Sequence, residues 1–285
     1  MGRILQKKKN AESLKVFIVY LLIILTVGLL LLPFFWMVST SFKPADEIFS
    51  PEPSFLPHKA TLSNYLTMWR DTLFPNYLKN TLVVSLLTVL ITMVVALPAG
   101  YSISRFKFRG RLAFSSGLIA VQMFPSMILL IPMFVIMNKL GLLNKYPSLI
   151  IAYGTFALPF CTWMLKSYID TVPKDLEEAA MIDGCSRWQA IVKVLVPAIG
   201  PGLVTVAMFA LVLAWQEYLF ALTFMRTEEM RTVTVGVAMM QGEHGSINWG
   251  QIMAGSVIAC MPPLICFLWM EKYIVQGFTM GAVKG

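Results

Sequence analysis

Apolar positions in this chain run in unbroken blocks, rather than alternating with polar ones or marking one face of a helical repeat. Windows free of Asp, Glu, Lys and Arg cover residues 16–42, 80–104, 112–138, 146–165, 194–216 and 244–270. A helix rising about 1.5 Å per residue needs about 20 apolar residues to cross a hydrocarbon layer roughly 30 Å thick, so each window is long enough to span. The pattern predicts an all-α membrane protein with six transmembrane helices, at about 16–42, 80–104, 112–138, 146–165, 198–220 and 250–271. The run 232–242 is too short to cross and is expected to be interfacial or re-entrant. No fixed-period repeat or low-complexity linker separates the spans, which predicts one transmembrane domain over 1–285. Residues 166–197 form a polar loop between the fourth and fifth spans.

Prolines interrupt this pattern at Pro98, Pro125, Pro132, Pro159, Pro262 and Pro263. Broken backbone at membrane depth persists only where neighbouring groups or a water-filled cavity satisfy the freed polar atoms. Each proline can be read as a packing kink, but several across four spans favour a bundle around a passage. The connection SFKPADEIFSPEPSFLPHKATLSNYLTMWRDTLFPNYLK, rich in Pro and aromatic residues, predicts a turn-filled cap at the membrane surface, with its Trp and Tyr residues at headgroup level.

Composition agrees with a membrane chain: 57% of the residues are hydrophobic, 13% are charged and the mean hydropathy is +0.71. The net charge of +8 could attract nucleic acid, so the distribution of charge has to decide. With the N-terminus inside, 15 of the 23 Lys and Arg residues fall on the inner side. That bias orients the chain, places both termini in the cytoplasm and removes the case for nucleic acid. The apolar run after MGRILQKKKN is too long for a signal peptide and is read as a retained first span. Cys161, Cys185, Cys260 and Cys266 show no metal-ligand spacing and read as small apolar fillers.

The loop contains TVPKDLEEAAMIDG. Pro173 suits the first helical position, with Asp175, Glu177 and Glu178 near the positive end of the helix dipole. Gly184 is expected to end this helix, because glycine enters the left-handed conformation without steric penalty. Ser186 and Gln189 have capping-box spacing for a second helix, which Pro197 limits. Its apolar stripe Trp188, Ile191, Val192 and Leu195 predicts that it lies along the bilayer surface. In the first helix, Ala179 and Ala180 make a small, smooth side through which another backbone can approach, while Glu178 seeks a basic partner. By these physical features alone, the loop is either an interfacial connector or a docking surface.

The array Glu178-Ala179-Ala180, three residues, Gly184, nine residues, then Val194-Leu195-Val196-Pro197 resembles the EAA loop of the membrane-spanning subunits of bacterial ABC importers. That pattern ends I-x-L-P, and valines stand here for both aliphatic positions. SFKPADEIF, SRFKFRGR, QMFPSMILLIPMF, KLGLLN and YIVQGFTMGAVKG are similar, in order, to the carbohydrate-uptake branch and specifically to MalG-like permeases. The resemblance implies a multi-pass subunit of the bacterial inner membrane, not itself an enzyme. It implies a heterodimer with a second, related permease, two ATP-binding cassette subunits and an extracellular sugar-binding protein. Glu178, Ala179, Ala180, Gly184 and Pro197 would then form the coupling loop that docks on the ATPase. No G-x-x-x-x-G-K-[ST] phosphate loop occurs, so no cofactor is expected on this chain and ATP with Mg belongs to the partner ATPases.

Substrate contacts are expected at Gln122, Trp215, Gln216, Glu217 and Tyr218. Gln122 lies mid-span and should face the interior, either toward the pathway or in a helix-to-helix hydrogen bond. Trp215 and Tyr218 read either as sugar-stacking groups or as interfacial anchors. In QGEHGSINWG, the residues Gln241, Gly242, His244, Asn248 and Trp249 either contact the binding protein or form a solvated turn. His244 has no cluster of metal ligands around it. A secondary transporter would want more intramembrane ionisable groups, and a membrane enzyme would want a clustered catalytic set. A permease for another solute, such as a glycerol phosphodiester or polyol, stays open beside sugar.

Overall fold

The computed structural model describes residues 2–240 and 247–282, with side chains over 15–240 and 247–271. Among the described residues the chain is helical, without a strand. In order come α1 (Gly2–Ser41), α2 (Ala45–Ile48), α3 (Ser63–Asp71), α4 (Phe74–Arg105), α5 (Arg111–Val121), α6 (Ser126–Lys139) and α7 (Tyr146–Asp170). There follow α8 (Lys174–Ile182), α9 (Arg187–Ala198), α10 (Gly200–Gln216), α11 (Leu219–Phe224), α12 (Val233–Ala238) and α13 (Trp249–Ala282).

Among the described residues, four segments are long and apolar enough to cross a membrane as single helices: Lys15–Ser41, Phe74–Arg105, Tyr146–Asp170 and Trp249–Glu271. Two more are bent pairs, α5 with α6 at 97° and α9 with α10 at 80°, and counting each pair as one span gives six. The window expected at 112–138 is therefore not a straight span, whereas the second bend falls at the start of the window expected at 198–220, whose helix α10 is straight to Gln216. Pro125, with ψ 126°, stands ahead of α6 after a helix that ends at Val121, and a residue before proline is driven out of the helical region. At the second bend Ile199 leaves helical geometry and Gly200-Pro201 starts the next helix. Pro98, Pro132, Pro159, Pro262 and Pro263 stay inside helices, so proline alone does not decide a break.

By contacts the chain divides into two compact units, Met1–Asp71 with Met240–Val257, and Thr72–Met239 with Ile258–Gly285. In the first, α1 is apolar on every side and exposed from Lys15 to Phe35, as suits a helix facing lipid. The connection after it is tied by side chains. The Asn64 amide donates to the carbonyls of Ser41 and Lys43 at 2.9 and 2.8 Å, and the Ser41 and Tyr65 hydroxyls are 2.7 Å apart. Glu47 accepts from the backbone N–H of His58 and the Ser54 hydroxyl at 2.9 and 2.8 Å. The His58 N–H holds the Glu47 carboxyl down to about 2, below the usual carboxylate range. Tyr65 is thus engaged in the cap through its hydroxyl, while Trp69 is 47% exposed.

In the second unit α4 packs along α7 and α10 through a seam of small residues: Thr81, Ser85, Thr88, Thr92, Ala96 and Gly100, all buried. Small side chains let helix backbones approach closely. At Gly100 a Cβ would lie 3.0 Å from the Lys166 backbone nitrogen and 3.1 Å from the Thr162 carbonyl oxygen. Within the segment 232–240, α12 tucks Val233 and Val235 inside, packed against α4. Thr81 accepts the Val233 N–H at 2.8 Å, and the Asn80 amide donates to the Glu229 and Arg231 carbonyls at 2.7 and 2.8 Å. Polar backbone approaching α12 is therefore satisfied by the first turns of α4.

Candidate functional site

Helix α7 runs to Asp170, so the polar loop expected at 166–197 begins five residues later than its composition suggests. Pro173 is the N-cap of α8 rather than its first helical residue. At the other end Gly184 has φ 91°, its N–H donates to the Met181 carbonyl at 3.1 Å, and the Cys185 N–H donates to Ala180 at 3.0 Å. This pair of bonds is the Schellman arrangement, which requires a left-handed residue where the glycine stands. The capping box forms as expected: the Ser186 N–H donates to Gln189 Oε1 at 2.8 Å and the Gln189 N–H to Ser186 Oγ at 3.3 Å.

The stripe on α9 does not stay together. Residues Ile191–Leu195 form a π-turn, which advances the chain by less than a helical repeat and rotates the faces. Ile191 and Leu195 are buried with Tyr101, Ile169, Val172 and Ile199, whereas Trp188 and Val192 are 68% and 45% exposed. A continuous membrane-lying face is therefore lost.

On α8, Glu178 and Ala179 are exposed, as are Gly184 beyond its end and Pro197 on α9. Ala180 turns inward and is 9% exposed, so the small surface open to a partner is Ala179 and Gly184 rather than both alanines. Beside Gly184 a Cβ would meet no atom within 4 Å; its backbone conformation, not crowding, selects glycine.

Glu177 is the residue that sequence reasoning left at the helix dipole. It is buried, and its Oε1 accepts from Arg105 Nε at 2.6 Å while Oε2 accepts from the Tyr101 hydroxyl at 2.9 Å. Arg105 Nη2 also donates to the Val172 carbonyl at 2.9 Å. A contact between residues 72 positions apart has no local signal; only the recurrence of Glu177 and Ala180 three apart marks an inward face.

The other expected residues gather around a cleft of about 580 Å³ at the broken α5–α6 segment, α7 and the α10–α11 junction. Gln122, Gln216, Glu217 and Tyr218 line it, with Ser126, Tyr153 and Phe156. The volume falls in the range of small-molecule sites, roughly 300–1,000 Å³. Gln122 caps the end of α5 and donates from its amide to the Phe156 carbonyl at 2.9 Å, so it joins two helices while standing at the cleft. Glu217 has a local task. Its two carboxylate oxygens accept the Phe220 and Ala221 N–H groups at 2.9 and 3.2 Å, at the positive end of α11. The Tyr153 hydroxyl, not foreseen from sequence, is buried at the cleft beside the Glu217 carboxylate.

Trp215 is not among the cleft residues and is neither a stacking surface nor an interfacial anchor: it is 6% exposed, and its indole N–H donates to the Ala259 carbonyl at 3.0 Å. Ala259 stands four residues before Pro263, whose missing N–H orphans that carbonyl. Asn248 accepts the Gln251 N–H at 3.1 Å at the start of α13, and Trp249 is 43% exposed. Gln241, Gly242 and His244 lie outside the described residues.

Residues 92–280 match the family model described as the binding-protein-dependent transport system inner membrane component. The chain belongs to this family. The permease is 41% identical to the trehalose/maltose transport system permease protein MalG of Thermococcus litoralis, over 96% of this chain and 99% of the relative. It is 38% identical to the sulfoquinovosyl glycerol transport system permease protein SmoH of Agrobacterium fabrum, over 90% of this chain and 89% of the relative. Its fold matches a crystal structure of a bacterial ABC transporter involved in the import of the acidic polysaccharide alginate. The TM-score is 0.81 at 22% identity, covering 93% of the permease and 98% of that chain. The permease is a membrane transport subunit, with a fold that matches that of an ABC transporter chain.

Proposed function

We propose that this permease is half of the translocation pathway of an ATP-driven, binding-protein-dependent importer of sugars or oligosaccharides, and that α8 couples it to an ATPase. The observation that carries the coupling is the exposed Glu178–Ala179 surface on a helix terminated by Gly184. Glu178 offers a carboxylate for a charge-assisted hydrogen bond to an arginine of the ATPase, and Ala179 and Gly184 leave its approach unobstructed. Closure of two ATP-binding cassette subunits, which hold the ATP and Mg, would displace α8 and swing the spans between inward-open and outward-open states. A second, related permease completes the pathway in a heterodimer, and an extracellular binding protein delivers the sugar.

The cleft supports the substrate side of this reading: amide groups of Gln122 and Gln216 stand with the Tyr153 and Tyr218 hydroxyl-bearing rings and Phe156. Hydroxyl-rich ligands take hydrogen bonds from such amides and pack their apolar faces on aromatic rings. A related solute is the second reading, favoured by the resemblance to a permease named for sulfoquinovosyl glycerol. The membrane is the cytoplasmic membrane of a bacterial cell, with both termini inside.

Glu178→Lys reverses the docking charge and Gly184→Asp adds an acidic side chain on the docking side. Each variant is expected to insert normally and to lose ATP-coupled uptake by about tenfold or more, Glu178→Lys through the lost charge-assisted contact and Gly184→Asp through an obstructed approach. Uptake of radiolabelled sugar by membrane vesicles, normalised to inserted protein, reads the effect. Normal uptake by a well-inserted Gly184→Asp variant would overturn the docking role.

A further inference from the structure

The coupling helix α8 leaves α7 through the short turn 171–173, a joint about which it could pivot. Apolar packing of Ile169, Val172, Ile191 and Leu195 surrounds that joint, but such packing is non-directional and tolerates sliding. The directional contact is the buried one made by Arg105. Its Nε meets Glu177 on α8 at 2.6 Å and its Nη2 meets the Val172 carbonyl in the turn at 2.9 Å. Both side chains of the ion pair are 7% exposed, and Tyr101 takes the second carboxylate oxygen at 2.9 Å. The guanidinium is a planar fork, so engaging helix and turn at once fixes the angle between them.

Arg105 is the last residue of α4, the 32-residue helix whose other end holds α12 through Asn80, Thr81 and their backbone partners. Nothing in the exposed docking surface needs Glu177, and burying two charges is a poor way to gain stability, because desolvation offsets their attraction. A buried pair of this kind is best explained by the geometry it enforces.

We propose that the Arg105–Glu177 ion pair is the positioning contact through which displacement of α8 is passed to α4, converting a pivoting loop into a rigid lever. This rests on α8 being the ATPase-docking helix. With the pair intact, a push on Glu178 and Ala179 moves α8, the turn and the end of α4 together. Without it, α8 swings about the turn and the motion is dissipated before it reaches the spans.

The test uses the complete importer, with its ATPase and binding-protein partners, in proteoliposomes. It reads sugar accumulated per ATP hydrolysed, together with the ATPase retained on purification. Arg105→Met combined with Glu177→Leu replaces the pair by apolar groups, which buried sites tolerate. The expected result is undiminished ATPase retention with sugar moved per ATP lowered about fivefold, a size typical of residues that modulate coupling. An unchanged ratio overturns the proposal. Should the double variant fail to accumulate, Glu177→Gln keeps the shape and removes the charge. Its ratio should fall about twofold or more, and an unchanged ratio again overturns the proposal. Gly184→Asp is measured alongside. If that variant keeps its ATPase and normal uptake, the docking reading fails; if it loses them while the ion-pair variants transport normally per ATP, only the role of the ion pair fails.

Discussion

Trp215 shows how a single side chain can be drawn away from ligand chemistry by the backbone around it. Its indole N–H donates to the Ala259 carbonyl, the acceptor that Pro263 leaves without a helical donor. An unsatisfied carbonyl in a buried or lipid-facing helix is costly, so the two residues should be energetically coupled. Trp215→Phe is expected to destabilise the permease by about 1 kcal/mol beyond its loss of packing, in the range found for interhelical hydrogen bonds in membranes. In a Pro263→Ala background the new N–H takes the carbonyl, and that extra cost should vanish. A double-mutant cycle on thermal unfolding in detergent measures the difference, and additive effects would remove the indole's backbone role. The same logic applies to Glu217: an intramembrane acid that might have served substrate already has both oxygens occupied by the N–H groups that open α11.

At the scale of elements, the α4–α7 contact depends on how close two backbones can come. Gly100 sits where an added Cβ would meet the backbone of Lys166 and Thr162, atoms that cannot rotate away as a side-chain tip could. Gly100→Ala should therefore part the helices slightly and cost about 1–3 kcal/mol, the usual range for overpacking. At Gly28 a Cβ meets nothing within 4 Å, so Gly28→Ala serves as the control that should leave the melting temperature of the purified subunit almost unchanged. These elements also mark how much could be read from the sequence. Run length located the six apolar segments, and local chemistry located both ends of the coupling hairpin: Gly184 in its left-handed cap and Ser186 with Gln189 in their box. Two things escaped. The π-turn at Ile191–Leu195 leaves no mark in periodicity, so the sequence does not show the phase of α9 beyond it. Neither could it be foretold which prolines break a helix: Pro98 and Pro159 sit inside intact helices, whereas Pro125 stands at a 97° bend. Glu177 escaped for a related reason, since its partner Arg105 is brought near only by the packing of α4 on α7.

For the molecule as a whole, orientation follows from charge rather than from any one contact. Arg105, Lys107, Arg109 and Arg111 lie together from the last residue of α4 to the first of α5, and Lys166, Lys174, Arg187 and Lys193 occupy the stretch from the end of α7 through α9. The connection between α1 and α4 instead carries Asp46, Glu47, Glu52 and Asp71 among its basic residues. Segments rich in Lys and Arg stay on the cytoplasmic side of insertion, so α8 is expected inside and the connection carrying Glu52 outside. Both are surface positions: Glu52 and Ala179 are exposed, and cysteines placed there in turn would be reachable by thiol reagents from their own side. With the four native cysteines replaced by Ser or Ala, Glu52→Cys in intact cells should react with a membrane-impermeant maleimide, and Ala179→Cys should react only after the membrane is opened. The opposite pattern would put α8 out of reach of any ATP-driven partner, and the coupling role of Glu178 would fall with it. If instead the pattern holds, bound ATPase subunits should slow the labelling of Ala179→Cys in opened membranes and leave Glu52→Cys unaffected. That difference separates a helix that merely faces the cytoplasm from one that is covered there.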